Sequence, residues 1–338
     1  MSNRSPETTE VVLRSPALYL GEVRVTETRQ PGSSSLRSGR KVKDLLQPLL
    51  FWFLKEAPPA LAIAPLRLIT GVARALYRVP GNPLRQACVY VCAIAARHGR
   101  QHEPKLVYRQ FLRNVVNAGR GYQRLLRGGP EAVLDGIRFG VEERRRVEQL
   151  LAEHGGCILA CPHNPGSAFS AVRMNQHMPL LVVMKNSATI RRTRLALESF
   201  ERMQARIIMV RSGNPFELSR AMFTALKDGH VIGATVDNID RGEGGVSVRM
   251  FDMEIPLAPW AAKIAAKKKV PVLPSFYHSR ADGVDVVLGE PLVTDDLQQA
   301  MQHYASFFEA RILEDPASWA YLADRKWRRV LRQAAGYA

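Results

Sequence analysis

From Val141 to Leu313 the chain alternates short apolar runs with amphipathic windows, and that alternation admits few folds. CILACP, PLLVVMKN, ARIIMVRS and VIGATVDN read as buried strands. The windows beside them, VEERRRVEQLLAEHGG, SAFSAVRMNQHM, TIRRTRLALESFERMQA and NPFELSRAMFTALKDGH, read as helices. A hairpin, VSVRMFDMEIPL, and a helix, APWAAKIAAKKK, precede two further strands, VPVLPSFYHS and VDVVLGEPL. A last helical window runs from Asp295 to Leu313. Strand–helix units of this length predict an α/β fold, with a mixed, largely parallel sheet flanked by helices.

In such sheets ligands bind beyond the carboxyl ends of the strands. His163, Lys185 with Asn186, Arg211, and Asp237 with Asn238 all stand at predicted strand ends. An imidazole placed there can act as a general base toward a hydroxyl or amine. His163 opens the stretch HNPGS, in which Pro165 and Gly166 predict a tight turn and Ser167 a cap on the next helix. The base then faces a helix N-terminus, whose backbone N–H groups can hold an anionic oxygen.

The chain ahead of this alternation has a different character. Residues 1–43 are rich in Ser, Arg and Gly and predict a mobile basic tail, within which VVLRSPALYLGEVRV could form a short extended piece. Residues 44–100 predict an apolar, helical, membrane-associating segment, with Phe51, Trp52 and Phe53 at headgroup level. Lys55, Glu56, Arg67 and Arg74 interrupt it and Pro58-Pro59 breaks it, so no uncharged run reaches the ~18 residues of a spanning helix. The main domain is expected over 101–330, with a tail at 331–338. Within it, 105–127 predicts an amphipathic helix with Arg109, Arg113, Arg120, Arg124 and Arg127 as a polar stripe suited to phosphate or carboxylate groups.

Charge and cysteine usage narrow the partners. Lys and Arg outnumber Asp and Glu by 48 to 31, a net charge of +17, which favours an anionic lipid surface or an acidic carrier protein. Nucleic acid is not expected, because the aromatics gather in the apolar N-terminal part instead of alternating with basic residues. Cys88 with Cys92 and Cys157 with Cys161 are spaced too widely for a C-x-x-C site and read as packing residues, not metal ligands.

The order of these features resembles the lysophospholipid acyltransferase superfamily, and within it the bacterial lipid A acyltransferase branch. The resemblance covers about 45–330 and is carried by LVYRQFLRNVVNAGRGYQRLLR, GGCILACPHNPG, LLVVMKN, LSRAMFTALKDGHVIGATVDNID, VRMFDMEIPLAPWAAKIAAKKKVPVLPSF and WAYLADRKWRRVL. It implies transfer of an acyl chain from an acyl carrier protein or coenzyme A thioester to a hydroxyl or amine of an anionic membrane lipid. It further implies His163 as base, no cofactor, a monomer, and a place at the cytoplasmic face of the inner membrane. Lys185 and Asn186 fall where that family binds the acceptor headgroup, and Arg249 on its donor-proximal hairpin.

The family's signature places Asp or Glu five residues after the histidine, and here that position is Ala168. Three readings stay open. Asp237 or Asp240 replaces the missing acid; Asn164 or Ser167 orients the imidazole as a neutral group; or the chain keeps the fold with a lost or altered activity, such as lipid binding or aminoacyl transfer.

Overall fold

The computed structural model of the chain describes residues 7–29, 49–185, 189–210, 215–240, 242 and 244–337. β1 (Glu7–Arg14) and β2 (Glu22–Arg29) form an antiparallel hairpin. Helices follow: α1 over 49–55, α2 (Pro59–Ala62), α3 (Ala64–Ala75), α4 (Pro83–Arg97) and the long α5 (Pro104–Gly128). After α6 (Glu131–Leu134) comes the alternating part: β3 (Ile137–Phe139), α7 (Val141–His154), β4 (Cys157–Cys161), α8 (Ser167–Asn175) and β5 (Leu180–Lys185). It continues with α9 (Ile190–Arg202), β6 (Arg206–Val210), α10 (Pro215–Lys227) and β7 (Val231–Thr235). The chain closes through the hairpin β8 (Val246–Met250) and β9 (Met253–Leu257), α11 (Trp260–Lys268), β10 (Val272–Ser279), β11 (Val284–Leu288), α12 (Leu297–Glu314) and α13 (Arg325–Ala334).

The expected mixed sheet is present. Seven strands lie in the order β3-β11-β10-β4-β7-β5-β6. β10, β4, β7, β5 and β6 run parallel, and β11 with β3 runs against them. Alternating side chains feed a core on each face. Ile158, Ala160, Ile232 and Phe276 pack with α4, α11, α12 and α13, while Leu159, Cys161, Leu180 and Tyr277 pack with α8 and α9. The near-continuous apolar runs of the strands follow from this burial on both sides. The four cysteines are free and buried, and burial pushes the Cys157 and Cys161 thiols up to about 12.

α5 ties the N-terminal helices to the sheet, and two of its glycines permit the approach. A Cβ on Gly119 would lie 2.4 Å from Leu66 of α3, and one on Gly121 would lie 2.8 Å from the Phe169 ring of α8. Arg127 donates to the carbonyls of Leu54 and Ala57 and so anchors the end of α1. At the far side, Val284 donates to the Gly136 carbonyl at 2.7 Å, and a Cβ on Gly283 would collide with that same oxygen.

Three segments differ from the sequence expectation. Residues 7–29, expected inside a mobile tail apart from a short extended piece over 11–25, form the β1–β2 hairpin, whose turn docks on β6: the Tyr19 N–H donates to the Ile207 carbonyl at 2.8 Å and the Ile207 N–H to the Ala17 carbonyl at 2.7 Å. α4, expected in the membrane-associating segment, places Ala87, Cys88, Val91, Ile94 and Ala95 in the main core. α13, whose last four residues were expected as tail, buries Trp327, Leu331 and Ala334. Each carries an apolar face at its own structural period that composition alone masks. Among the described residues no helix is long and apolar enough to cross a membrane. α3 nevertheless leaves Leu68, Ile69 and Val72 exposed, and Leu76 just after it is exposed too.

Two measurements check this packing. Gly283→Ala lowers the unfolding free energy by about 1–3 kcal/mol in a denaturant titration, because the backbone must shift to admit the methyl. The buried thiols stay unreactive toward a disulfide-exchange reagent at mildly alkaline pH and react on addition of denaturant.

Candidate active site

The register of the sheet puts the imidazole beside its acid. β4 and β7 are parallel neighbours with Cys161 opposite Thr235, so the same row two residues onward holds His163 and Asp237. His163 Nδ1 lies 2.5 Å from Asp237 Oδ1. The other carboxylate oxygen, Oδ2, accepts the His163 backbone N–H at 3.0 Å and the Trp319 indole N–H at 2.9 Å. Trp327 donates its indole N–H to the Asp237 carbonyl at 2.9 Å. The Asp237 side chain is 2 % exposed and that of His163 31 %, so the acid sits behind the ring and the ring faces open space.

A carboxylate on Nδ1 fixes the tautomer that leaves a lone pair on Nε2. Tyr321 meets that nitrogen: its hydroxyl lies 3.1 Å from His163 Nε2 and 2.7 Å from Asn238 Oδ1, and its ring stacks on the imidazole at 4.0 Å. Burial, with Asp237 and Asp324 nearby, pushes the Tyr321 phenol well up, so it stays a neutral hydroxyl at physiological pH. Burial and then the Asp237 charge do the same to Cys161, whose thiol donates to the Ala234 carbonyl; it is no nucleophile.

His163 opens into a cavity of about 940 Å³. The polar end holds His163, Asn238, Asp240, Tyr321 and Lys326. The rest is mostly apolar: Leu50, Phe51 and Leu54 of α1 line it with Ala171 and Met174 of α8, Val182 and Met184 of β5, Phe200 of α9 and Met203 just after it, while Ser167, Ser199 and Thr235 are polar exceptions. His163 thus stands among polar side chains in a groove that is otherwise mostly apolar. Residues 98–329 match the family described as bacterial lipid A biosynthesis acyltransferase.

The chain belongs to that family of lipid A acyltransferases. It is an acyltransferase, and the family points to a lipid A-like substrate. A search of curated proteins found no match.

Several site expectations are corrected in this acyltransferase. Asn164 is buried: its amide donates to the carbonyls of Tyr277 and Ser318, each at 2.5 Å, and its oxygen accepts from the Gly166 N–H. It ties the turn to β10 and the 3-10 turn Pro316–Ser318, and neither orients the imidazole nor faces the groove. Ser167 lines the groove, but its hydroxyl donates to the Asn164 carbonyl and caps nothing; Gly166 stands at the N-cap. Gly166 itself borders a different cavity. Asp240 lines the groove with its Oδ1 accepting the Gly242 N–H, not the His163 ring. Arg249 is not brought to the site, because strand alternation turns Val248 and Met250 inward and leaves Arg249 exposed, its backbone bonded to Gln302. Lys185 ends β5; Asn186 and Arg211 lie outside the described residues.

Trp319, Tyr321 and Trp327 were missed by sequence reasoning, although WAYLADRKWRRVL contains all three. The available signal was chemical: a buried indole N–H needs an acceptor, and a buried Asp needs donors. Among the described residues no cluster of His, Cys, Asp and Glu could hold a metal. Asn164→Ala removes both amide donors and leaves two buried carbonyls without them; it costs about 1–3 kcal/mol of stability per unpaired group, read as a lowered unfolding midpoint.

Proposed function

We propose that this enzyme transfers an acyl chain from an acyl carrier protein or coenzyme A thioester to a hydroxyl or amine of a lipid A-like membrane lipid, with His163 as general base and Asp237 as its orienting carboxylate. The observation that carries this reading is the Asp237–His163 pair at 2.5 Å, with Nε2 on the Tyr321 hydroxyl and the ring lining the groove. Asp237 thus takes the role that the motif assigns to position 168, and the neutral-orienter reading through Asn164 or Ser167 falls away.

The reaction follows from the placement. The acceptor oxygen or nitrogen displaces the Tyr321 hydroxyl at Nε2 and gives its proton to the imidazole. It attacks the thioester carbonyl, the carbon–sulfur bond breaks, and the leaving thiolate takes the proton back from Nε2. Asp237 holds Nδ1–H and stabilises the imidazolium between these steps. At the start of α8 the Gly166 and Ser167 N–H groups are taken by Asn164, and the Ala168 and Phe169 N–H groups that follow are the ones offered to the oxyanion. The acyl tail occupies the groove, where each buried methylene contributes roughly 0.8 kcal/mol.

The same reading places the enzyme on the cytoplasmic face of the inner membrane. Support comes from the exposed apolar residues Leu49 and Trp52 of α1, Leu68, Ile69 and Val72 of α3 and Leu76 just after it, interleaved with Arg67 and Arg74. A helix of that kind lies in the interface with its apolar face down.

Incubation with labelled acyl carrier thioester and total lipid tests the chemistry. His163→Ala abolishes lipid labelling, and equal labelling by parent and variant removes His163 as the base. Asp237→Asn lowers turnover by roughly 10⁴-fold with the fold retained, whereas Asp240→Asn stays close to the parent. Membrane fractionation tests the location: a high-salt wash leaves the parent bound, and Leu68→Glu with Val72→Glu releases it.

A further inference from the structure

A second cavity, of about 360 Å³, lies on the other side of α8. Four arginines line it: Arg67 of α3, Arg120 and Arg124 of α5, and Arg280 of the loop between β10 and β11. Asp282 is the one carboxylate in the lining, and it leans on Arg280 at 3.6 Å. Arg280 also pairs with Asp285 at 2.9 Å. Among the described residues no carboxylate lies within ion-pair reach of Arg67, Arg120 or Arg124, so the cavity holds an uncompensated positive charge.

The walls are fixed before any ligand arrives. Asn117 of α5 donates to the Arg280 carbonyl at 3.1 Å, and the Gly136–Val284 bond pins the base of that loop. Side-chain entropy is the main cost of gathering guanidiniums, and a rigid frame lowers it. Two placements say what the site is for. Arg67 is followed directly by Leu68 and Ile69, exposed at 70 % and 60 %, so the mouth of the cavity adjoins the face assigned to the bilayer. Gly166 and Phe169 line this cavity while Ser167 and Ala168 line the acyl groove, so one turn of α8 separates the two. Phe169 and Tyr122, in edge contact at 5.6 Å, form the partition.

We propose that the arginine cavity binds a phosphate group carried by a membrane lipid and so positions the acceptor beside His163. The assignment rests on the transferase reading for its purpose, but its binding chemistry stands alone. Guanidiniums recognise phosphate oxygens through paired N–H donors, and three of them without acids favour a dianion over a neutral sugar.

Binding is measured on the full-length protein, without any acyl donor. Arginine modification by phenylglyoxal is mapped by mass spectrometry with phosphatidylcholine nanodiscs, with the same nanodiscs carrying phosphatidic acid, and with inorganic phosphate. Phosphatidic acid slows modification of Arg120 and Arg124 several-fold relative to phosphatidylcholine alone. Protection by inorganic phosphate without protection by phosphatidic acid assigns the cavity to a free anion and overturns the lipid proposal, as does no protection at all. In a second arm, Arg120→Gln with Arg124→Gln weakens phosphatidic acid nanodisc binding by about tenfold. Arg328→Gln with Arg329→Gln, on α13, serves as the control for surface charge. Equal weakening by both pairs overturns the proposal. Neither arm involves transfer, so either hypothesis can fail without the other.

Discussion

A carboxylate taken out of water must be surrounded by donors, and the Asp237 side chain, 2 % exposed, imposes that demand on the whole molecule. The carboxylate's partners come from two distant places, His163 in the turn after β4 and Trp319 near the end of the chain, while Trp327 donates to the Asp237 backbone carbonyl. The Ala320 N–H adds a bond to the His163 carbonyl at 2.8 Å, which fixes the terminal segment against the turn. Trp319 and Trp327 then touch each other edge-on at 4.9 Å and bring α13 onto the core. The same bonds that make the charge tolerable hold the imidazole in one orientation. Stability and the orientation of the imidazole are therefore one arrangement.

α5 and α8 organise what surrounds that base. α5 contributes Tyr122 and Leu126 to the apolar groove and Arg120 and Arg124 to the basic cavity. Helical periodicity makes this possible: residues at 120 and 124 share one side, and those at 122 and 126 another. Glycines at 119 and 121 bring α3 and α8 close enough to close both compartments. The apolar groove and the basic cavity thus share walls, with one turn of α8 between them.

The sheet was legible because each strand carries a continuous apolar run and each flanking helix its own period. His163 and Asp237 were legible as strand-end residues, and the parallel register of β4 and β7 explains why naming both ends named a contact. The tryptophans were not legible in that way. Their roles depend on hydrogen bonds spanning 82 and 90 residues, which no local pattern encodes. Asn164 misled for a related reason: beside a histidine it reads as a polar site residue, while the fold uses it to satisfy buried carbonyls. Arg249 misled because position on a hairpin was inferred and the side of the strand was not. The groove could not be read at all, since α1, α8, β5 and α9 contribute to it from widely separated stretches.

Ala168 has a consequence for how solvent behaves around the reacting atoms. Its methyl lies in the groove wall beside His163. A carboxylate there would organise a hydration shell at the mouth of the acyl site, whereas here the only acid on the ring is on its far side, out of reach of bulk water. The front of the imidazole meets the Tyr321 hydroxyl, with Asn238, Asp240 and Lys326 at the same polar end of the groove. In the proposed reaction that hydroxyl holds the place on Nε2 that a water would take, so a competing nucleophile has to displace it before the proton is taken.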